Sequence, residues 1–302
     1  MGVLGPDDIV DPASTIEENL RGWLPVFERF PGARLDQVAG CTRWLCDVPL
    51  LLFNGAIGMP AGEDLASAIA AVLEPFDTAG VPLLWVLPTN DDAVVAALAA
   101  RGLAVEHGTP AMTIDLANLP PLEVLPNTTI DEVDDDPEAL RDASTIALTT
   151  NGLPPWCIDA YLEALDALPD RRTIRTFLVK RDGAPLASSL LMSAAGVAGL
   201  YNVGTLPDAR RTGLGRLVSI AAMAAGRDDG YRVGVLQASE LGKPVYQAMG
   251  FEERAMFTFA VRVPRVDAGY GDRSYVCGSN VRPSSSVGVT VTWDPSIVTN
   301  RK

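Results

Sequence analysis

The chain has 302 residues, about two domains' length at ~100 to 200 residues each, and its 48% hydrophobic and 21% charged residues exclude wholesale disorder and a disulfide scaffold. The 24 Lys and Arg against 38 Asp and Glu leave a formal charge of -14, which repels phosphate backbones and anionic membranes and excludes nucleic acid as the main partner. The single histidine, His107, leaves no multi-histidine metal site, and the four cysteines (Cys41, Cys46, Cys157, Cys277) hold no C-x-x-C pair, so no metal is expected.

The opening MGVLGPDDIVDP is short and acidic, unlike a cleavable leader, and the apolar stretch SSLLMSAAGVAGLYNVG is broken by glycine and polar residues. The expectation is a cytoplasmic protein with no membrane span. From the amino terminus, the periodicities predict a helix over Ser14 to Phe30, strands around Gln37 to Asp47 and Leu50 to Ala56, and a helix over Glu63 to Ala79. A strand Pro82 to Leu87, a helix Asp91 to Arg101 and a strand Ala104 to Leu116 complete the first half, with His107 placed in a turn at AVEHGTP. Pro120, Pro121 and Pro126 then favour an extended linker.

After the linker come a strand Thr128 to Val133, a helix Asp136 to Thr149 with Pro137 in its first turn, and a helix Cys157 to Leu168. Strands Thr173 to Arg181 and Pro185 to Ala194 are joined through Asp182-Gly183, a hairpin signal, and Ala195-Gly196 turns the chain into Val197 to Thr205. A helix Gly213 to Asp228, a strand Arg232 to Ala238, a helix Leu241 to Met249 and a strand Phe251 to Val263 follow. Hairpins followed by β-α-β units predict an α+β fold with a mixed sheet flanked by helices.

The two halves repeat one plan. Laying Gly102-Leu103 of VVAALAARGLAVE on Gly250-Phe251 of KPVYQAMGFEER superposes helix on helix and strand on strand, and brings AMTIDL near AMFTFAV. The expected division is a first domain over residues 1–120, a linker over 121–127, a second domain over 128–263 and a flexible tail over 264–302, where VGVTVTW could add an edge strand. Charge separates the halves: residues 1–120 carry 16 acidic and 5 basic side chains, residues 121–262 carry 19 and 14.

The chemistry-bearing stretch is LYNVGTLPDARRTGLGRLVSIAAM. A buried strand ends at Thr205, and Arg210-Arg211-Thr212-Gly213-Leu214-Gly215 opens a helix, where two glycines free the backbone and exposed N–H groups can hold an anion. Arg210, Arg211 and Arg216 suit phosphate pairing. The stretch lacks the G-K-[ST] of a Walker loop, and Val218 stands where a dinucleotide fingerprint needs glycine. Two glycines at such a turn can also serve only as a tight connection.

Arg210 to Gly215 resembles the (Q/R)-x-x-G-x-(G/A) hallmark of the GNAT family of acetyl-CoA-dependent N-acyltransferases, in its place after the domain's fourth strand. Ser239-x-x-Gly242-x-x-x-Tyr246-x-x-x-Gly250-Phe251 is similar to the family's later helix with its tyrosine and closing G-F. The resemblance covers about residues 128 to 263 and implies two GNAT-like domains, each a mostly antiparallel twisted sheet flanked by helices. It implies that Val203, Gly204 and Thr205 pair with the pantetheine arm of acetyl-CoA and that Arg210, Arg211, Thr212, Gly213, Leu214, Gly215 and Arg216 cradle the pyrophosphate, with Ser239 also at the cofactor. It further implies that strands four and five splay apart, that an amine attacks the thioester directly, and that Tyr246 protonates the departing thiolate.

Many family members place a carboxylate on the fourth strand; here Tyr201 and Asn202 stand there, so the proton acceptor is unassigned, with Glu240 or a water chain as alternatives. Trp156, Tyr201 and Asn202 are the candidate acceptor-binding residues, Trp156 serving equally well as a core anchor. In the first half, Gly58-Met59-Pro60-Ala61-Gly62-Glu63-Asp64 puts acids where a diphosphate needs amides, and Leu98 aligns with Tyr246, so that copy is expected to bind no cofactor. The acceptor is read as a small-molecule amine, a protein amino terminus or a lysine, and a homodimer is left open. Two alternatives accompany the acetyltransferase: a catalytically silent acyl-CoA sensor or scaffold, and a mycothiol synthase-like acetyltransferase.

Overall fold

A computed structural model describes residues 2–262; the expected tail over 264–302, its VGVTVTW strand and Cys277 lie outside the described residues. In chain order the elements are α1 (Pro12–Leu20), α2 (Leu24–Phe27), β1 (Arg34–Val38), β2 (Cys41–Leu45), β3 (Gly55–Ile57), α3 (Leu65–Ala79), β4 (Leu83–Leu87), α4 (Asp92–Ala100) and β5 (Ala104–Asp115). They continue with β6 (Thr128–Glu132), α5 (Pro137–Thr150), α6 (Ile158–Asp166), β7 (Ile174–Arg181), β8 (Ala184–Ala194) and β9 (Val197–Thr205). Last come α7 (Leu214–Asp228), β10 (Val233–Gln237), α8 (Lys243–Met249) and β11 (Glu252–Arg262).

Local chemistry explains most of these limits. Asp11, Asp64, Asp91 and Asp136 each accept backbone N–H groups at the start of α1, α3, α4 and α5, as short acidic side chains do at a helix N-cap. Asp182 and Gly183 both take positive φ, +50° and +81°, the turn that matches strand twist in a two-residue hairpin. Four expectations change, and the first is the strand expected over Leu50 to Ala56, which is a 3-10 turn, Leu51–Phe53, followed by the short β3. The helix expected over Ser14 to Phe30 breaks after Leu20 into a 3-10 turn, Arg21–Trp23, before α2. The strand expected over Gln37 to Asp47 is the β1–β2 hairpin, turning at Ala39 and Gly40. AVEHGTP lies inside β5 and forms no turn, Gly108 taking up a local irregularity with φ +76°.

The chain divides into two compact units, and their limits differ from the linear ones expected at 120 and 263. One unit joins Met1–Gly22 to Pro110–Ala255; the other joins Trp23–Thr109 to the described residues from Met256 on. The divisions fall inside β5 and β11. The first unit's sheet runs β5-β10-β9-β8-β7-β6, with β6 to β9 antiparallel, β9 and β10 parallel, and β10 antiparallel to Ala111–Asp115 of β5. The second unit's sheet runs β1-β2-β3-β4-β11, with β3 and β4 parallel and β4 antiparallel to Thr258–Arg262 of β11. Each sheet is therefore closed by the strand that follows the other half's last helix.

In the first unit, α7 buries Leu217, Val218 and Met223 against Leu191, Leu200 and Leu236 of the sheet. In the second, α3 buries Ile69, Val72 and Phe76 against Trp85 and Leu87 of β4 and Leu98 of α4. Trp85 is fully buried, and its Nε1–H donates to the Gly58 carbonyl at 3.0 Å. Truncating it leaves a large cavity and takes the indole donor from a carbonyl that the Cys41 thiol reaches only at 3.4 Å. Trp85→Ala is expected to cost about 3–5 kcal/mol, measured as a lower urea midpoint for the second unit.

Candidate functional site

The first unit opens its sheet between β9 and β10. Their parallel register pairs only Gly234 with Ala198 and Val235 with Gly199, although β9 runs on to Thr205. Beyond the last pair β9 bulges. Leu190 of β8 opposes Tyr201 and Ser188 opposes Gly204, so Asn202 and Val203 share one partner position, and Asn202 takes φ +50°. A bulge bends its strand and re-aims the residues after it. This is the splay that the resemblance implies. Gly204 is required on the other side of the strand, because a Cβ there would fall 2.3 Å from Thr150 Oγ1 of α5.

The strand leads through a 3-10 turn, Pro207–Ala209, to the start of α7. Arg210 Nε donates to the Thr205 carbonyl at 3.2 Å, and Thr212 Oγ1 donates to the Ala209 carbonyl at 2.6 Å. Arg211 and Gly213 both have positive φ, +62° and +87°. Gly213 is the N-cap and brings no side-chain acceptor to the first turn, so the leading N–H groups of α7 stay open toward solvent. A Cβ on Gly215 would lie 3.1 Å from Thr205 Oγ1. Among the described residues, Arg210, Arg211 and Arg216 make no ion pair, in a chain with 38 acidic side chains. Open amides, the helix dipole and three guanidinium groups without an ion pair among the described residues form an anion site.

Leu214 is buried in the core, so only its backbone faces this turn, and Val203 is half-buried against the same core. Ser239 follows β10, and its Oγ accepts the Gly242 N–H at 3.2 Å. Tyr246 is half-buried on α8, edge-on to Phe251 with ring centroids 6.0 Å apart, and Gly242 makes room for its ring: a Cβ there would lie 2.8 Å from Tyr246 Cε2. Its hydroxyl has no hydrogen-bond partner among the described residues. Burial pushes its phenol pKa above the ordinary value of 10.0, so it keeps its proton throughout the neutral range.

The acceptor candidates are placed differently from one another. Trp156 is 45% exposed on the turn before α6. The adjacent Cys157 is buried, with its thiol donating to the Pro154 carbonyl at 3.0 Å and its pKa pushed by burial up to about 11, which removes it as a nucleophile at neutral pH. Tyr201 is buried and donates its hydroxyl to Asn19 Oδ1 at 2.7 Å. Asn202 bonds to Tyr161 of α6, whose phenol pKa burial raises. Glu240 is exposed.

Two groups escaped the sequence reading, Asp134 beside Tyr161 and Asn19 beside Tyr201. Asp134, between β6 and α5, accepts the Thr176 N–H at 2.7 Å and pairs with Arg171 at 2.8 Å, and burial still pushes its carboxyl above the usual range. Asn19 was missed too, although a polar residue three positions after buried Ile16 in an amphipathic helix was a readable signal. Among the described residues no cluster of three metal-ligating side chains occurs, and no helix is long and apolar enough to cross a membrane.

The second unit shows the same path closed. β3 and β4 stay paired through Ile57 and Val86, Gly58 N–H continues the ladder to the Val86 carbonyl at 3.0 Å, and Trp85 seals the Gly58 carbonyl. At the start of α3, Asp64 accepts the N–H groups of Ala66 at 3.2 Å and Ser67 at 3.0 Å, and the Ser67 hydroxyl at 2.5 Å. The repeat alignment holds at the hydrogen-bond level. Leu103 N–H bonds to the Leu98 carbonyl at 3.2 Å, and Phe251 N–H to the Tyr246 carbonyl at 3.0 Å.

Residues 118–236 match the family model described as an acetyltransferase (GNAT) domain. No curated protein matches the chain. Among solved structures, a GCN5-related N-acetyltransferase from Kribbella flavida is similar over 86% of this chain and 96% of that one, at 18% identity and a TM-score of 0.64. A tandem GNAT protein from the clavulanic acid biosynthesis pathway covers 86% and 97%, at 16% identity and a TM-score of 0.54. A GCN5-related N-acetyltransferase from Sphaerobacter thermophilus covers 74% and 76%, at 14% identity and a TM-score of 0.58. The fold is thus that of GNAT proteins, a tandem one among them.

The Asp64 carboxylate is held below its ordinary value of 3.8, first by the Ser67 hydroxyl and then by the Ser67 and Ala66 amides. A lowered folded pKa adds stability that is complete above the unfolded value and is lost as pH falls through the folded one. Asp64→Ala should therefore lower the urea midpoint of the second unit at pH 7, with the difference from wild type vanishing below the folded pKa; an equal difference at pH 2 would contradict the cap.

Proposed function

We propose that the unit built on residues 110–255 is an N-acetyltransferase that moves an acetyl group from acetyl-CoA to an amine, starting from the GNAT domain that residues 118–236 match. The observation that carries this reading is the uncapped start of α7, with Arg210, Arg211 and Arg216 around it, at the end of a strand that leaves its parallel neighbour. A site with open amides and no competing carboxylate fits a pyrophosphate.

Acetyl-CoA, when bound, supplies an acyl group activated as a thioester. The backbone of Val203 to Thr205, past the last pair with β10, would meet the pantetheine arm, and the amides of Arg211 to Arg216 would hold the pyrophosphate, with Ser239 alongside. The amine, once its ammonium proton has passed to solvent, would attack the thioester carbonyl carbon; the carbon–sulfur bond would break, Tyr246 would give its proton to the departing sulfur, and the proton lost by the nitrogen as the amide forms would return through solvent to the tyrosinate. A phenol kept protonated by burial suits that step, since a general acid must carry its proton at working pH. The acceptor's amine is taken as cationic in solution, small or part of a protein, and Trp156 and Asn202 are the residues offered to it.

The second reading, an acyl-CoA sensor, is favoured by one observation: β9 brings no carboxylate, with Asn202 neutral and the Tyr201 hydroxyl already bonded to Asn19. The mycothiol synthase-like alternative is weakened by the Asp64 cap and the Trp85 seal, which oppose a second cofactor. Calorimetry with acetyl-CoA should show one site per chain, abolished by Gly213→Glu; binding that survives this substitution overturns the site. Tyr246→Phe is expected to lower kcat by about 100-fold, within the range for a general acid, at nearly unchanged acetyl-CoA affinity. Thiol release across a panel of amines separates the readings, because a sensor binds and releases nothing.

A further inference from the structure

The chain's first helix belongs to the acyltransferase unit, and one side chain fastens it there. Asn19 of α1 is fully buried. Its Nδ2 donates to the carbonyls of Ala194 at 2.9 Å, Val197 at 3.3 Å and Met192 at 3.4 Å, around the β8–β9 turn, and its Oδ1 accepts the Tyr201 hydroxyl at 2.7 Å. The surrounding backbone is cut to this contact. A Cβ on Gly199 would lie 2.1 Å from Asn19 Oδ1, one on Gly22 would lie 2.4 Å from Met192 Sδ, and Leu4 N–H bonds to the Gly196 carbonyl at 3.0 Å.

Tyr201 is the residue on which this contact matters for chemistry. It stands two positions after the last β9–β10 pair, at Gly199, and immediately before the bulged Asn202. Asn202 is held in turn by Tyr161 of α6. The point where β9 turns away from β10 is thus gripped by polar side chains from two helices. A buried hydrogen-bonded chain is costly to leave incomplete and selects one arrangement of the groups it joins.

We propose that Asn19 is a positioning residue for acyl transfer: by accepting the Tyr201 hydroxyl it sets the bulge of β9, and with it the backbone edge against which the acyl end of the cofactor is placed. This rests on the reading of the crevice as an acyl-CoA site. It makes the amino-terminal 22 residues a working part of the acyltransferase unit and separates two roles within one side chain. The Nδ2 bonds dock the helix; the Oδ1 bond acts on the crevice.

Tyr201→Phe tests the second role apart from the first, because it removes the hydroxyl, with its bonds to Asn19 and to Gln237 of β10, and leaves the three Asn19 Nδ2 bonds in place. Two readouts are needed. In hydrogen–deuterium exchange on the full chain, Tyr201→Phe should speed exchange over residues 200–205 and leave residues 12–20 at the wild-type rate; unchanged exchange over 200–205 overturns the proposal whether or not the protein binds CoA. In kinetics, Tyr201→Phe should lower kcat by at least about tenfold, the scale of a small misplacement at a reacting centre, with the Kd of CoA, which lacks the acyl group, within twofold of wild type. Asn19→Ala should lower kcat as far, and the double variant no further than Asn19→Ala alone. Losses that add, or a kcat per folded molecule equal to wild type, assign Asn19 to docking alone and overturn the proposal. Failure of the wild-type chain to bind CoA would instead strike the reading of the crevice, leaving the exchange result to stand by itself.

Discussion

What the site depends on is the supply of acceptors at a helix start. The first turn of any helix leaves N–H groups with no partner in the helix, and a protein either answers them itself or leaves them for a ligand. In α3 the answer is internal: Asp64 takes the amides of Ala66 and Ser67 and the Ser67 hydroxyl. In α7 the N-cap is Gly213, which has nothing to offer. The repeated plan therefore reaches opposite electrostatic ends, a fixed negative charge at one helix start and, at the other, three arginines with no ion pair among the described residues. An anion that binds the second is repelled by the first.

Strand pairing follows the same logic. A ligand's backbone-like arm can join a sheet only where a strand edge is free, and a free edge requires two neighbours to part. β9 parts from β10 after two residue pairs, by a bulge that puts Asn202 in a left-handed conformation. β3 and β4 keep their ladder to its end, and a fully buried tryptophan occupies the junction. Closing a crevice with Trp85 and capping a helix with Asp64 both favour stability over binding. Each satisfies groups that the other unit leaves unsatisfied.

Much of this was legible in the residues. The helix starts were signalled by Asp and Pro, the hairpin at Asp182-Gly183 by its turn chemistry, and the uncapped turn by glycines and arginines that a helix start does not otherwise need. Local signals of that kind act within a few residues, so a sequence displays them directly. Pairing across the chain does not act locally. Nothing within AMTIDL or AMFTFAV names the sheet that it closes, and the compact units begin and end inside β5 and β11, away from the proline-rich linker. The bulge at Asn202 was likewise hidden, because a non-glycine residue at positive φ is imposed by what surrounds it.

Asn19 shows where a local reading stops short for a different reason. Its position on the apolar stripe of α1 marks it as buried, and a buried amide must find partners for two donors and one acceptor. That requirement names no partner. The carbonyls around the β8–β9 turn lie more than 170 residues away, and a carbonyl has a second lone pair to offer even where it serves the strand ladder. The hydroxyl of Tyr201 completes the set because Gly199, two residues earlier on the same face of β9, carries no side chain to block it. One amide thereby ties the start of the chain to the strand that opens the crevice, so the geometry of the candidate site is fixed as much by residue 19 as by the glycines at 213 and 215.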